Sequence, residues 1–179
     1  MARGLGAALR HTVTVAAVAA LPLGLQGVAA ATPALAATCH SNGVLRDPTC
    51  QPGATNPDVT QSTIGQTICV SGWTATVRPP TSYTNPLKVQ QIAEYGYSDT
   101  NTADYEEDHL IPLELGGAPR DPRNLWPEPR NGPSGTTAGS KDTVENRLKS
   151  DVCGGRVTLA AARHAIATNW TTALQVTGG

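Results

Sequence analysis

An aspartate and a histidine stand side by side near the middle of the chain, at Asp108 and His109. Neighbouring residues on a β-strand point to opposite faces, so these two side chains can meet only where the strand bends. Pro112 and the pair Gly116-Gly117 follow within a few residues and supply such a bend. A carboxylate that holds a cation and a neutral histidine that takes a proton from water would together perform hydrolysis.

These residues belong to the stretch Tyr105–Pro129, in which Asn124-Leu125 follows the two glycines. The order D-H-x-x-P, G-G and N-L, followed by a candidate helix, resembles the HNH (ββα-metal) nuclease family, in a form typical of secreted actinobacterial-type proteins. The resemblance implies that Asp108 holds a divalent metal and that His109 is the general base. It also implies that Asn124 fixes this histidine or helps to bind the metal.

The last part of the family pattern diverges in this chain. The family usually has a His or Asn about three residues before a Lys on the helix, and here Ala138 stands three residues before Lys141. Glu145 flanks the apolar stripe of the same helix and is our candidate for the remaining metal contact. Mg²⁺ or Mn²⁺ is the expected metal, since Mg²⁺ keeps several waters and needs only one or two carboxylates, and Zn²⁺ is the alternative.

The charges of the chain are unevenly distributed. Residues 37–119 carry three basic and nine acidic residues, whereas residues 120–179 carry eight basic and five acidic residues. A net charge of −1 does not predict the broad basic face of most nucleic-acid-binding domains, so only a local basic patch is expected. That patch begins at Arg120, Arg123 and Arg130, which could hold substrate phosphates bidentately.

An acidic cluster surrounds the Asp-His pair. Its members are Asp99, Asp104, Glu106, Glu107 and Asp108. Such a cluster repels phosphate unless a cation lies within it. The cluster therefore favours either a bound metal or a function without nucleic acid.

Residues 1–36 have the features of a secretory signal peptide. Arg3 and Arg10 precede an apolar run from Val13 to Leu25, and small residues end the segment at Ala34-Leu35-Ala36. The run is too short to predict a membrane span, and an uncleaved N-terminal anchor is the alternative. We expect a secreted, extracellular protein that has no membrane contact after cleavage and is a monomer.

The four cysteines, Cys39, Cys50, Cys69 and Cys153, all follow the predicted cleavage point. An even number of cysteines in an exported chain predicts disulfides, and four cysteines allow three pairings. We favour Cys39–Cys50, which closes a short loop, and Cys69–Cys153, which ties a predicted strand to a helix end. A zinc site is the alternative, but the chain has no C-x-x-C pair.

The mature chain is predicted to adopt an α+β fold, in which a small disulfide-pinned domain has an HNH-like hairpin-plus-helix core and a C-terminal helix. Residues 37–66 are rich in Pro, Gly, Asn and Thr and are interpreted as an N-terminal arm, and residues 67–179 as the HNH-like domain. Four elements are predicted outside the site: a strand or kinked strand pair at 67–77, and helices at 85–95, at 140–152 and from Thr158 onward.

Other interpretations of the same residues remain open. Asp108 and His109 could form a structural hydrogen-bonded pair, and Asn124 could tie a loop. The protein could be a non-catalytic exported binding module, since the mature chain is acidic and the third ligand is missing. It could also be a metal-dependent hydrolase of another polymer, because acid–His–metal groupings are not restricted to nucleases. The motif itself favours metal-dependent hydrolysis of nucleic acid.

Overall fold

The computed structural model describes residues 39–178, and the predicted signal peptide at 1–36 lies outside them. The described chain contains five α-helices and one pair of antiparallel strands, which confirms the α+β class. The helices are α1 (Trp73–Val77), α2 (Thr81–Glu94), α3 (Ala138–Cys153), α4 (Leu159–Asn169) and α5 (Ala173–Thr177), and the strands are β1 (Tyr105–His109) and β2 (Leu125–Pro129).

The two strands form the hairpin that carries the Asp-His pair. In their register Asp108 lies opposite Trp126, and His109 lies opposite Leu125. Strand β1 ends at His109, and the apolar alternation that follows does not extend it. Instead the chain bends and makes a single turn of 3₁₀ helix at Leu113–Leu115. The predicted bend after the Asp-His pair is therefore confirmed.

Helix α3 begins two residues before the predicted start at Ser140, because Thr137 rather than Ser140 caps it. The Thr137 side chain accepts a hydrogen bond from the Ser140 amide, a common N-cap arrangement. Leu148 and Val152 on the predicted apolar stripe are fully buried. The prediction of a helix over 140–152 is confirmed.

The helices on either side of the hairpin also occur where the sequence predicts them. Helix α2 begins four residues before the predicted residue 85, directly after Pro80. Thr158 caps α4, as its position predicts, and the Thr158 side chain accepts from the Ala161 amide. The predicted C-terminal helix is divided in two, because a 3₁₀ turn at Trp170–Thr172 separates α4 from α5.

The predicted strand at 67–77 is wrong. This segment forms consecutive turns followed by α1, which starts after Gly72 in a left-handed conformation (φ 79°). Backbone groups in the turns form hydrogen bonds with each other. The Val70 amide, for example, donates to the Thr67 carbonyl over 2.8 Å. Ile68 is completely buried. The apolar, β-branched composition therefore reflects burial against the helices, and tertiary packing overrides strand propensity.

The main core lies between the loop after β1, the C-terminal half of α3 and helix α4. Its buried members are Val59, Ile68, Ile111, Leu115, Leu148, Val152, Leu159, Ala162, Ala165, Ile166, Trp170 and Ala173. Trp126 belongs to a smaller cluster with Cys39 and Tyr95. The segment predicted as an N-terminal arm contributes to both clusters, so it packs onto the domain along its length.

Both predicted disulfides are present, Cys39–Cys50 and Cys69–Cys153. Cys69 lies in the turns before α1, and Cys153 is the last residue of α3. Two disulfides are typical of proteins that fold in an oxidising, extracellular-type environment. Within residues 39–178 no helix is both long and apolar enough to cross a membrane.

Removing the Cys69–Cys153 bridge should cost more stability than removing Cys39–Cys50. The bridged cysteines are 84 and 11 residues apart, and loop-closure entropy gives about 5 and about 3 kcal/mol respectively. Urea unfolding of the double variants C69S/C153S and C39S/C50S measures both losses. Equal losses would contradict the prediction, and thiol titration of the native protein should find no free thiol.

Candidate active site

His109 lies at the end of β1 and is almost completely buried, with 6% of its surface exposed. Its Nε2 atom is 3.1 Å from the Pro119 carbonyl oxygen. A carbonyl only accepts hydrogen bonds, so Nε2 carries the proton of the neutral ring. The other ring nitrogen, Nδ1, is then the one with a free lone pair.

The surroundings of His109 keep its ring neutral. Burial lowers the pKa of this histidine, and the Asp108 carboxylate and the Pro119 carbonyl offset the effect only in part. A neutral imidazole with one fixed N–H is the form that can accept a proton from water. The ring therefore has the protonation state that a general base would need.

Asp108 is bound by a lysine that the sequence analysis did not assign to the site. The Lys141 ammonium donates to Asp108 Oδ2, to Glu145 Oε1 and, over 3.0 Å, to the His109 carbonyl. These three bonds use all three of its protons. Lys141 is 1% exposed, so the ammonium is enclosed by these oxygens.

The position of Lys141 on its helix is unusual for a cation. It lies in the first turn of α3, where the helix dipole disfavours positive charge. Burial would also lower the pKa of its ammonium, but Asp108 and Glu145 outweigh burial and raise that pKa. Lys141 is thus charged because carboxylates surround it.

The surrounding carboxyls do not all carry charge. Burial raises the pKa of Asp108, but Lys141 outweighs it and holds that pKa below its usual range. Burial raises the pKa of Glu145 to about 8 and that of Glu128 to about 10. Glu128 is thus protonated near neutral pH and donates to Asp108. The cluster consists of one strong ion pair, Asp108–Lys141, flanked by two carboxyls that are mostly neutral.

An open cleft of about 310 Å³ lies beside this cluster. It is lined by Arg78, Glu106, Asp108, His109, Pro112, Leu113, Glu114, Asp142, Glu145 and Asn146. Five of these residues are acidic and one is an arginine. One oxygen of Glu114, Oε2, is buried and makes no hydrogen bond within the described part of the chain. The cleft therefore presents oxygen donors and a negative potential.

This donor set fits a hard cation. Mg²⁺ and Mn²⁺ take oxygen ligands, and Mg²⁺ needs only one or two carboxylates beside its waters. Asp108 and Glu145 already share one cation, the Lys141 ammonium, and each has a second oxygen that does not bind it. Residues 39–178 contain no cluster of three or more His, Cys, Asp or Glu arranged for a metal. All four cysteines are in disulfides, so they offer no thiolate to Zn²⁺.

Asn124 is fully buried and ties the loop after β1. Its Oδ1 accepts from the Ile111 amide, and its Nδ2 donates to the carbonyls of Ile111 and Ala118. It makes no direct bond to His109. Because Ala118 precedes the residue whose carbonyl binds His109, Asn124 fixes the histidine through the loop.

Gly117 makes this tie possible. A Cβ atom at Gly117 would lie 1.7 Å from the Ile111 carbonyl oxygen and 2.7 Å from Asn124 Nδ2. The preceding Gly116 adopts a left-handed conformation with φ 69°. The G-G pair therefore allows the close approach of backbone and Asn124, which explains its place in the motif.

None of the three arginines predicted to hold phosphates is among the residues that line the cleft. The Arg120 guanidinium stacks on Tyr83, with its Cζ 5.7 Å from the ring centroid. Arg123 pairs with Asp121 at 2.6 Å, and Arg130 pairs with Glu106 at 2.8 Å. Their role as phosphate contacts stays a prediction.

Sequence reasoning named Glu145 but missed Lys141, Asp142 and Asn146 around it. Asp142, Glu145 and Asn146 line the cleft from one face of α3, and Lys141 and Glu145 are four residues apart. The i, i+3 and i, i+4 spacing of these residues was a usable signal. No spacing signal connects Arg78 or Glu128 to the motif, because only the folded chain brings them there.

Comparisons with protein-family models, with curated proteins and with solved structures found no match to this chain.

Replacing Lys141 with Met should destabilise the protein by about 3–5 kcal/mol, because it leaves the buried Asp108 carboxylate without its counter-charge. Lys149→Met is the matched control on the same helix. Lys149 is partly exposed, 3.9 Å from Glu114, and its loss should cost less than about 1 kcal/mol. Urea unfolding of both variants gives the comparison. Equal losses would mean that the ammonium does not hold the cluster together.

Proposed function

We propose that this chain is a secreted, metal-dependent, nuclease-like enzyme that hydrolyses phosphodiester bonds on an HNH-like core. The observation that carries the proposal is the bond from His109 Nε2 to the Pro119 carbonyl, which leaves Nδ1 of this cleft-lining histidine free to accept a proton. A hairpin that ends in this histidine, joined by Lys141 to the first turn of α3, agrees with the ββα arrangement that the motif implies.

In the proposed reaction His109 takes a proton from a water molecule, and the water oxygen forms a bond to phosphorus. The bond between phosphorus and the leaving oxygen breaks, and that oxygen takes up a proton from solvent. Asn124 and Gly117 keep the Pro119 carbonyl in place, so the histidine enters the reaction in the tautomer whose Nδ1 can accept a proton. The Asp108–Lys141 pair anchors the end of β1, on which His109 depends.

Asp108 and Glu145 would hold the metal, with Glu114 beside them at the cleft. When bound, a divalent cation neutralises the negative charge that develops on the leaving oxygen. Mg²⁺ and Mn²⁺ suit the carboxylate donors best. The acidic lining supports this proposal, since an anionic substrate would otherwise be repelled.

Secretion forms part of the same proposal. The signal-peptide features of residues 1–36 and the two disulfides both favour an extracellular location. Nucleic acid is the expected substrate, and a monomer the expected state. The test is incubation of the oxidised protein, residues 37–179, with plasmid DNA or RNA in the presence of Mg²⁺, Mn²⁺ or a chelator. Cleavage only with metal supports the proposal.

A second candidate function is a non-catalytic exported binding module on the same scaffold. The observation that favours it is the Lys141 ammonium, which already neutralises Asp108 and is bonded to Glu145. In that case the carboxylates would need no metal for stability. Melting temperatures that do not change with Mn²⁺, together with intact plasmid, would select this function.

Substitutions at His109 and Asp108 should have different effects on the cleavage rate and on metal binding. His109→Ala should reduce the cleavage rate by a hundredfold or more, the usual weight of a positioned base, while metal binding persists. Asp108→Asn should weaken metal binding, so added Mn²⁺ should restore part of its rate. Cleavage rates and the Mn²⁺-dependent shift in melting temperature measure both effects.

Two exposed residues provide controls for these variants. His164→Ala and Asp99→Asn replace the same residue types outside the cleft and should leave cleavage unchanged. If the two site variants lose stability equally and Mn²⁺ shifts no melting temperature, the Asp-His pair is structural and the nuclease proposal fails.

The pH profile should show a base with a lowered pKa. A general base acts in its neutral form, and burial lowers the pKa of His109 below the ordinary value of about 6.5. The cleavage rate should therefore still exceed half of its plateau at pH 6.5 and fall below half only at lower pH. Measurement of kcat/KM from pH 4.5 to 8 locates the midpoint, and a midpoint above pH 6.5 would exclude His109 in this role.

A further inference from the structure

Arg78 is the one basic residue among those that line the cleft in the described part of the chain. Its side chain is exposed, and within residues 39–178 it takes part in no ion pair. Five acidic residues share the same cleft, yet Arg78 pairs with none of them. Its guanidinium therefore remains available to a ligand.

The other arginines considered for the substrate are already engaged. Arg123 and Arg130 form ion pairs with Asp121 and Glu106, and Arg120 stacks on Tyr83. Lys141 is enclosed and has used all its protons. Of these basic residues, Arg78 alone combines access to the cleft with an unpaired charge.

The backbone of Arg78 is held on both sides. Arg78 caps the C-terminus of α1, where its amide donates to the Thr74 carbonyl over 3.0 Å. Pro79 and Pro80 follow directly, which restricts Arg78 to an extended conformation, here with ψ 127°. Before α1, the Cys69–Cys153 disulfide fixes the segment to the end of α3. A side chain on such a fixed backbone loses less entropy when it binds.

Arg78 is also close enough to the base to affect it. The positive charge of Arg78 contributes to lowering the pKa of His109. Both residues line the same cleft, so one phosphate could lie between the guanidinium and the imidazole.

We propose that Arg78 binds the non-bridging oxygens of the phosphodiester that is cleaved, and that it is the residue through which this acidic cleft recognises an anion. The inference rests on the proposed function. A guanidinium presents two parallel N–H donors to a phosphate, which a lysine cannot reproduce. Arg78 is therefore distinct from the three arginines expected to hold flanking phosphates.

The test compares Arg78→Gln with Arg78→Lys and with the controls Arg147→Gln and Arg156→Gln, two exposed arginines that pair with Asp151 and do not line the cleft. Two substrates distinguish contact with the cleaved phosphodiester from contact with flanking phosphates. They are plasmid DNA and bis(p-nitrophenyl) phosphate, a diester that has no flanking phosphates. With Mn²⁺ present, Arg78→Gln should lower kcat/KM by about a hundredfold on both substrates. Arg78→Lys should recover part of this loss. The controls should cleave the small diester like wild type.

Binding of a fluorescent oligonucleotide, measured by anisotropy in the presence of Ca²⁺, provides a readout independent of cleavage. Arg78→Gln should weaken this binding at least about tenfold, while Arg147→Gln should change it less than about twofold. Melting temperatures should be equal, because the exposed Arg78 side chain takes part in no ion pair.

The outcomes separate the two proposals. If wild type binds the oligonucleotide but cleaves nothing, and only Arg78→Gln loses binding, Arg78 recognises phosphate and the nuclease proposal is wrong. If wild type cleaves and Arg78→Gln matches the controls on both substrates, the nuclease proposal stands and the role of Arg78 is overturned. If wild type neither binds nor cleaves, both are overturned.

Discussion

A single buried ammonium joins the two halves of the candidate site. Lys141 comes from the first turn of α3, and its partners include Asp108 and the carbonyl of His109 at the end of β1. The bond to the His109 carbonyl fixes the backbone from which the imidazole extends. The charge of Lys141 also keeps Asp108 ionised in a buried position, where burial alone would favour the protonated form. Without it neither the hairpin nor the cleft would keep its geometry.

The loop after β1 depends on a second, uncharged constraint. The Asn124 side chain hydrogen-bonds to the backbone of Ile111 and Ala118. Gly117 has no Cβ atom that would clash with this side chain. This loop carries the Pro119 carbonyl to the imidazole. The tautomer of His109 is thus determined by the backbone carbonyl of Pro119, ten positions further along the chain. Much of the motif therefore specifies the scaffold of this loop.

The sequence predicted the elements whose signals are local. Helical periodicity located α3 and α4, and cysteine count and loop spacing led to both disulfides. The segment at 67–77 was predicted wrongly as a strand. Its apolar residues, such as Ile68, pack in the core, and its backbone groups form hydrogen bonds within turns. The bonds from Lys141 to β1 and the position of Arg78 at the cleft could not be predicted, since each depends on the approach of distant segments. Asn124 had two possible roles in the sequence, and its buried backbone contacts identify it as a tie for the loop.

The Cys69–Cys153 bridge also constrains the order in which the molecule can be completed. A chain that emerges from its N-terminus exposes Cys39 and Cys50 together, and they can pair as soon as their short loop is free. Cys69 can pair with Cys153 only after the next 84 residues have emerged. Every segment that lines the cleft has appeared before its partner Cys153 is available. The segment that bears Arg78 is therefore linked covalently to α3 only when the polypeptide is nearly complete. Shorter emerging chains contain the segments that line the cleft but lack this disulfide.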